Sequence, residues 1–133
     1  MQEVISINTS KKQEMVDIKD KVNDIVKKSR VKDGTCYIFA KHSTASIIIN
    51  ENYNSNICLD IIDALDVMVP KGKWRHDKVD GNADAHIKSS ILGPSEIIPV
   101  KGGELQLGKW QSPMIVELDG PRTREIIVQV IGG

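Results

Sequence analysis

Residues 114–131 read Met-Ile-Val-Glu-Leu-Asp-Gly-Pro-Arg-Thr-Arg-Glu-Ile-Ile-Val-Gln-Val-Ile. Apolar and β-branched residues fill the two arms of this segment, Met114 to Leu118 and Arg124 to Ile131, and such runs are typical of β-strands. Asp119-Gly120-Pro121 separates the two arms and is a strong turn signal. The segment therefore predicts two short strands separated by a turn.

The strand pattern extends toward the N-terminus. Ile97 to Val100 and Glu104 to Leu107 are two more predicted strands, separated by Lys101-Gly102-Gly103. Three further strands are predicted in the first half of the chain: Val4 to Asn8, Thr35 to Ala40 and Ala45 to Asn50. The sequence therefore predicts about seven strands.

Apolar residues at helical spacing mark three further segments. From Gln13 to Arg30, every third or fourth residue is apolar, which predicts one amphipathic helix on a sheet. Helical spacing also runs from Ile57 to Met68, and Asn82 is placed to cap a shorter helix that ends at Leu92. Because helices and strands do not alternate strictly, we expect an α+β fold with a mainly antiparallel sheet, and one domain over residues 1–133.

Charge and composition exclude several classes of protein. The 133 residues carry 18 basic and 18 acidic side chains and only five aromatic ones, which disfavours nucleic-acid binding. No apolar run could span a bilayer, and the acidic start Met1-Gln2-Glu3 is unlike a signal peptide. Cys36 and Cys58 form no Cys-x-x-Cys pair and are predicted to be buried, which favours a reducing, cytoplasmic location.

Three histidines, His42, His76 and His86, are the candidate metal ligands. None lies on an apolar stripe, and three imidazoles with an open position suit zinc and similar ions. We predict that they converge in one pocket, within a subunit or across a subunit boundary, around a divalent ion or a bound anion. Asp77 or Asp84 is then expected to accept a hydrogen bond from one ring. The alternative is that the histidines are scattered at the surface or at helix ends.

Several polar residues could bind an anion. Ser43 and Thr44 either close a turn or donate hydrogen bonds, and the helix start at Asn82 offers free backbone N–H groups. Arg122 and Arg124 are two residues apart, so on a strand they would share a face and could clamp a phosphate, or else form ion pairs. No P-loop, dinucleotide-binding or nucleophile-elbow motif is present.

Longer strings add a family resemblance. They are His42-Ser43-Thr44-Ala45, Asn50-Glu51-Asn52, His76-Asp77, Gly81-Asn82, Ala85-His86-Ile87-Lys88-Ser89-Ser90, Leu92-Gly93, Leu107-Gly108-Lys109-Trp110-Gln111 and Asp119-Gly120-Pro121-Arg122. In this order and spacing, the chain resembles over its whole length the YjbQ family, an uncharacterised protein family later named secondary thiamine-phosphate synthase.

The resemblance implies a β-sandwich, a homotrimer and a histidine-bearing pocket near subunit boundaries. It also implies a low-level or side transferase activity, in which thiazole phosphate attacks hydroxymethylpyrimidine diphosphate to give thiamine phosphate and pyrophosphate. A divalent metal, zinc or magnesium, is expected at the histidines. The family's recurrent polar positions correspond to His42, His76, His86, Glu51, Ser89, Trp110, Gln111 and Arg122. A non-catalytic protein that binds a small anion or metal, and a metal-dependent hydrolase, are the alternatives.

Overall fold

The computed structural model describes residues 1–133, which form eight strands and three α-helices. The α+β fold with mainly antiparallel strands is confirmed. A short 3-10 helix, Arg75–Lys78, interrupts the loop between the second and third α-helices. The elements are β1 Gln2–Asn8, β2 Glu14–Asp17, α1 Lys19–Ser29, β3 Gly34–Ala40, β4 Ala45–Glu51, α2 Ser55–Met68, α3 Ala83–Leu92, β5 Ser95–Lys101, β6 Glu104–Leu105, β7 Gln111–Glu117 and β8 Thr123–Gly132.

Two antiparallel sheets form the framework. The larger has the order β1-β8-β3-β5-β6, and the smaller has the order β2-β7-β4. Alternate residues of both sheets enter one core, because successive side chains of a strand point to opposite faces. Ile38 of β3, Ile126 of β8, Ile47 of β4 and Ile115 of β7 are all fully buried there. α1 closes this core with Val22, Ile25 and Val26, together with Ile18 just before the helix.

Helices cover the other face of the smaller sheet. α3 packs against β4, and α2 packs against β2. Ala85 of α3 joins Val116 and the nearby Leu118 in a second, smaller apolar cluster. The helices are too short or too polar for any of them to cross a membrane. The molecule therefore has three layers, and its smaller sheet is the middle one.

The outer face of the larger sheet has no such cover. Val4 of β1, Tyr37 and Phe39 of β3, Ile97 of β5 and Ile131 of β8 each expose at least 40% of their surface. The register places Tyr37 beside Ile97, so these side chains form one continuous patch on adjacent strands. Apolar faces of this kind mark interaction surfaces in many proteins.

The predicted helix over Gln13 to Arg30 is wrong in its first part. Residues 14–17 are strand β2, which pairs with β7 and places Met15 opposite Val116. The helix begins only at Lys19, whose backbone N–H donates to the Asp17 carboxylate over 2.8 Å. The strand forms because β7 offers it a complete ladder of partners, which helical spacing cannot reveal. Of the two cysteines, Cys36 is buried as expected, whereas Cys58 is half-buried.

Candidate functional site

A polar cavity of about 560 Å³ lies at the start of β4. Three segments meet there: the β3–β4 connection, the first turn of α3 and the start of β8. We call it the cationic pocket, because its lining contains five basic side chains, no carboxylate and no hydrophobic residue. Its lining residues are Lys41, His42, Ser43, Thr44, Asn82, His86, Arg122, Thr123 and Arg124.

The base of the pocket is held by a buried ion pair between Arg124 of β8 and Glu117 of β7. This pair joins the two sheets, and both side chains are at most 3% exposed. The guanidinium also donates to the hydroxyl of Thr44 over 3.0 Å, and the Thr9 hydroxyl donates to Glu117 over 2.7 Å. Burial alone would raise the pKa of Glu117, but hydrogen bonds from Arg124, Thr9 and the Asp119 N–H hold it below its ordinary value.

Of the two alternatives for Arg122 and Arg124, a shared phosphate clamp or ion pairs, the structure shows ion pairs. Arg124 is committed to Glu117, because a buried guanidinium requires a partner charge. Arg122 lies just before β8 and remains half exposed, with its Nε and Nη2 bound to Asp119. Its Nη1 has no partner in the chain, so Arg122 can present one pair of donors to an anion.

Asp119 connects Arg122 to the helix start. Its carboxylate accepts hydrogen bonds from Lys12, from Arg122 over 3.0 Å and from the Asn82 side chain over 2.9 Å. Burial opposes ionisation, yet these three donors lower the pKa of Asp119 to about 2. Asn82 precedes α3 as predicted, but its side chain does not cap the helix. The carboxylate of Asp77 instead accepts from the Ala83 N–H over 3.1 Å.

His42 is fixed by the start of β8. Its Nε2 accepts a hydrogen bond of 2.8 Å from the backbone N–H of Glu125. Burial, together with the positive charge of Arg124, lowers the pKa of His42, although Glu117 and Glu125 partly oppose this. The ring is thus neutral at pH 7, with Nε2 as acceptor and the proton on Nδ1.

The other two histidines are in contact with each other. The rings of His76 and His86 meet edge to face with centroids 4.9 Å apart, and His76 Nε2 lies 3.4 Å from the Asp80 carboxylate. His86 lines the cationic pocket and also a second cavity of about 500 Å³, which we call the Trp74 cavity. In one chain, the three histidines therefore occupy two adjoining cavities linked by His86. The Trp74 cavity is lined by Lys73, Trp74, Arg75, His76, Ala83, His86 and Ile87.

These residues do not form a metal site within one chain. No three histidine, cysteine, aspartate or glutamate side chains are grouped closely enough to hold an ion. The expectation that Asp77 or Asp84 orients a histidine is also wrong. Asp77 accepts from the backbone N–H groups of Trp74 and Ala83, and the buried Asp84 pairs with Lys88. Neither carboxylate is free for a ring.

Three residues singled out by the resemblance lie elsewhere. Glu51, Trp110 and Gln111 are at the far end of β4, where Glu51 pairs with Gln111 of β7. β4 has seven residues, so roughly 20 Å separates this end from the cationic pocket. The Trp110 ring contacts Tyr53 with centroids 4.4 Å apart, and both rings are exposed. We call this region the aromatic end.

Ser89 has a packing role in this chain. Its buried hydroxyl donates to the Ala45 carbonyl over 3.1 Å and accepts from Ser46, which fixes α3 to β4. The neighbouring Lys88 was not singled out by the sequence reasoning. Its side chain is fully buried, and Nζ donates to Gln13, Asp66 and Asp84. A single lysine on a short helix gives no sequence signal of burial, because lysine side chains are usually exposed.

Comparisons with known proteins agree on one family. The model of the YjbQ-like family, UPF0047, matches residues 3–133. A UPF0047 protein of Methanocaldococcus jannaschii is 44% identical over 126 residues, which cover 95% of this chain and 91% of that protein. The UPF0047 protein YugU of Bacillus subtilis is 36% identical, covering 99% of this chain and all of YugU.

Solved structures show the same relationship. The crystal structure of a YbjQ-like protein of unknown function from Sulfolobus solfataricus superposes with a TM-score of 0.96. The two sequences are 40% identical, and the match covers all of this chain and 97% of the other. Since family model, relatives and fold all agree over nearly the full length, this chain belongs to the YjbQ-like (UPF0047) family.

Proposed function

We propose that this protein is an enzyme that binds a phosphorylated small molecule in the cationic pocket. The observation that carries this proposal is a cavity whose lining has five basic side chains and no carboxylate. Arg122 offers Nη1, and Ser43 and Thr44 contribute hydroxyl groups at the same wall. The helix start at Asn82 does not offer the free N–H groups expected from the sequence, because the Ala83 N–H donates to Asp77 and those of Ala85 and His86 donate to the Asn82 carbonyl.

The reaction that fits best is of the thiamine-phosphate synthase type. A nitrogen of thiazole phosphate attacks the methylene carbon of hydroxymethylpyrimidine diphosphate, and the C–O bond to the leaving pyrophosphate breaks. Negative charge then grows on the pyrophosphate, where Arg122 and Lys41 would stabilise it. Neutral His42 could donate a hydrogen bond from Nδ1 to the same oxygen atoms, because its Nε2 is already occupied.

We propose that a divalent ion, zinc or magnesium, binds only in the assembled protein. One chain does not gather three donor side chains, so His42, His76 or His86 would need ligands from a second copy or a rearrangement. Metal analysis of the purified protein, compared with His86→Ala, tests this part. Equal metal content in both proteins would contradict a role for that histidine.

We also propose that the protein is a cytoplasmic homotrimer. The uncovered patch on the larger sheet supports assembly, since Tyr37, Phe39 and Ile97 are exposed side by side. Assembly could also bring the aromatic end of one copy toward the cationic pocket of another. Analytical ultracentrifugation should give about three times the 14.7 kDa of one chain, and a stable monomer would contradict the trimer.

Turnover of the two thiamine precursors tests the enzymatic proposal. We expect His42→Ala and Arg122→Gln to lower the rate of thiamine phosphate formation at least about tenfold, while the exposed Gln106→Ala leaves it unchanged. Equal rates in wild type and His42→Ala would refute the role of that histidine. Tight binding of the precursors without turnover would instead assign a non-catalytic anion-binding function, and release of inorganic phosphate would assign a hydrolase.

A further inference from the structure

The Trp74 cavity differs from the cationic pocket in its chemistry. Three of its seven lining residues are hydrophobic, whereas none of the nine in the cationic pocket is. Trp74, Ala83 and Ile87 supply this apolar surface. The other four lining residues, Lys73, Arg75, His76 and His86, are basic. The Trp74 cavity therefore combines an apolar surface, which suits the ring or hydrocarbon part of a ligand, with positive charge, whereas the all-polar cationic pocket suits a charged group alone.

The two cavities are neighbours. They flank the first turn of α3, where Asn82 belongs to one lining and Ala83 to the other, and His86 belongs to both. A ligand with a charged end and an apolar end could therefore occupy both cavities and pass the His86 ring. The edge-to-face contact of His86 with His76 fixes the position of this boundary.

The wall formed by Trp74 is held in place without a ligand. The indole Nε1–H donates to the Pro70 carbonyl over 2.7 Å, and the backbone N–H of Trp74 donates to Asp77 over 3.0 Å. Asp77 also accepts from the first N–H of α3, so one carboxylate ties the loop to the helix. Lys73 lies over one part of the indole, 5.2 Å from the ring centroid. The ring is thus oriented before a ligand binds.

We propose that the Trp74 cavity is a second subsite, which takes a planar aromatic ring whose phosphate group is bound in the cationic pocket. This inference rests on the proposed function, because it uses the cationic pocket as the phosphate site. It makes Trp74 and Ile87 specificity-determining residues, and it places His86 beside the bond that joins ring and phosphate. Offset or edge-to-face packing against Trp74 adds to apolar burial, so an aromatic ring should bind more tightly than a short alkyl group.

Three probes test the second subsite: inorganic phosphate, ethyl phosphate and 4-nitrophenyl phosphate, each measured by calorimetry. We expect 4-nitrophenyl phosphate to bind about tenfold more tightly than ethyl phosphate, since ring packing and apolar burial together contribute on that scale. In Trp74→Ala this difference should fall below about twofold, with the affinity for inorganic phosphate unchanged. Gln106→Ala is the control, because Gln106 is exposed and lines neither cavity.

Fluorescence gives a readout that does not depend on truncating Trp74. In Trp110→Phe, the only tryptophan emission comes from Trp74, and 4-nitrophenyl phosphate should quench it while ethyl phosphate does not. In Trp74→Phe, the emission of Trp110 should change only through absorption by the probe. Binding of both esters with equal affinity and no quenching of Trp74 would overturn the second subsite and leave the phosphate site intact. Failure of all three probes to bind would overturn both proposals.

Discussion

The two ends of β4 carry polar residues in very different settings. At the Ala45 end, the cations of the pocket are tied to buried carboxylates, as in the pair Arg124–Glu117. At the Glu51 end, Trp110 is 49% exposed and Tyr53 is 73% exposed. The cationic pocket is therefore organised within one chain before any ligand arrives, whereas the aromatic end is a surface on which a partner could still pack.

The largest difference between the two ends should be in stability. Glu117→Gln leaves the buried guanidinium of Arg124 without a countercharge, so we expect a loss of about 3–5 kcal/mol in the free energy of unfolding. Glu51→Gln makes the same chemical change at the exposed end and should cost less than about 0.5 kcal/mol. Urea denaturation of both variants measures the free energy of unfolding. Similar decreases in the two variants would show that the two ends of β4 do not differ in stability.

The second largest difference between the two ends of β4 should be in their contribution to anion affinity. Arg122→Gln removes a guanidinium with free donors, so phosphate should bind about tenfold more weakly at pH 7. Gln111→Ala, at the aromatic end, should leave the affinity for phosphate within a factor of two. A large loss in Gln111→Ala would mean that the two ends act as one site, most simply through contact between subunits, and calorimetry distinguishes these outcomes.

Low pH should destabilise the Ala45 end of β4, where the cationic pocket lies, more than the aromatic end. The pKa of Asp119 is about 2 in the folded protein against an ordinary 3.8, so the folded state favours the ionised carboxylate. The resulting stability is complete above about pH 4 and is lost as the pH falls toward 2. Because Lys12 and Arg122 are half exposed, we expect this contribution to be about 1–2 kcal/mol.

Denaturation of Asp119→Asn across the pH range checks this expectation. The variant should be less stable than wild type at pH 6, and the difference should shrink steadily below pH 4, because protonated Asp119 resembles asparagine. Glu51→Gln should show the wild-type profile. A difference between wild type and Asp119→Asn that stays constant down to pH 2 would show that the charge of Asp119 contributes nothing.

The smallest expected effect is spectroscopic. NMR titration of His42 should give a midpoint below 6.5, since burial and Arg124 disfavour the charged ring. Nitrogen shifts at pH 7 should show the proton on Nδ1, as the Glu125 hydrogen bond to Nε2 requires. A midpoint above 6.5, or a proton on Nε2, would mean that this end of β4 is less organised than the hydrogen bonds indicate.

The sequence predicted most elements because their patterns are local. β4 and α2 each show a regular apolar spacing, and both form within a residue or two of the predicted limits. β2 was missed because Met15 and Ile18 are equally compatible with a helix, and only pairing with β7 selects the strand. Long-range partners of this kind leave no trace in a short window of sequence.

The candidate site was only partly predictable for the same reason. The sequence singled out His42, Thr44, Asn82, His86 and Arg122, which the fold brings to one cavity. It could not show that Arg124 would form a buried ion pair with a carboxylate from the other sheet, because that contact joins β7 to β8 across the core. The predicted strand Ala45 to Asn50 already separated Glu51 from Thr44 by its length, and β4 confirms this.

The buried Lys88 has a consequence for chemical labelling. Its side chain is fully buried and Nζ donates to Gln13, Asp66 and Asp84, so a reagent in solution cannot reach the amine in the folded protein. Acylating reagents should modify the exposed lysines within minutes but reach Lys88 only when α3 separates from α2. The rate of acylation at Lys88, followed by mass spectrometry, therefore measures how often α3 separates from α2.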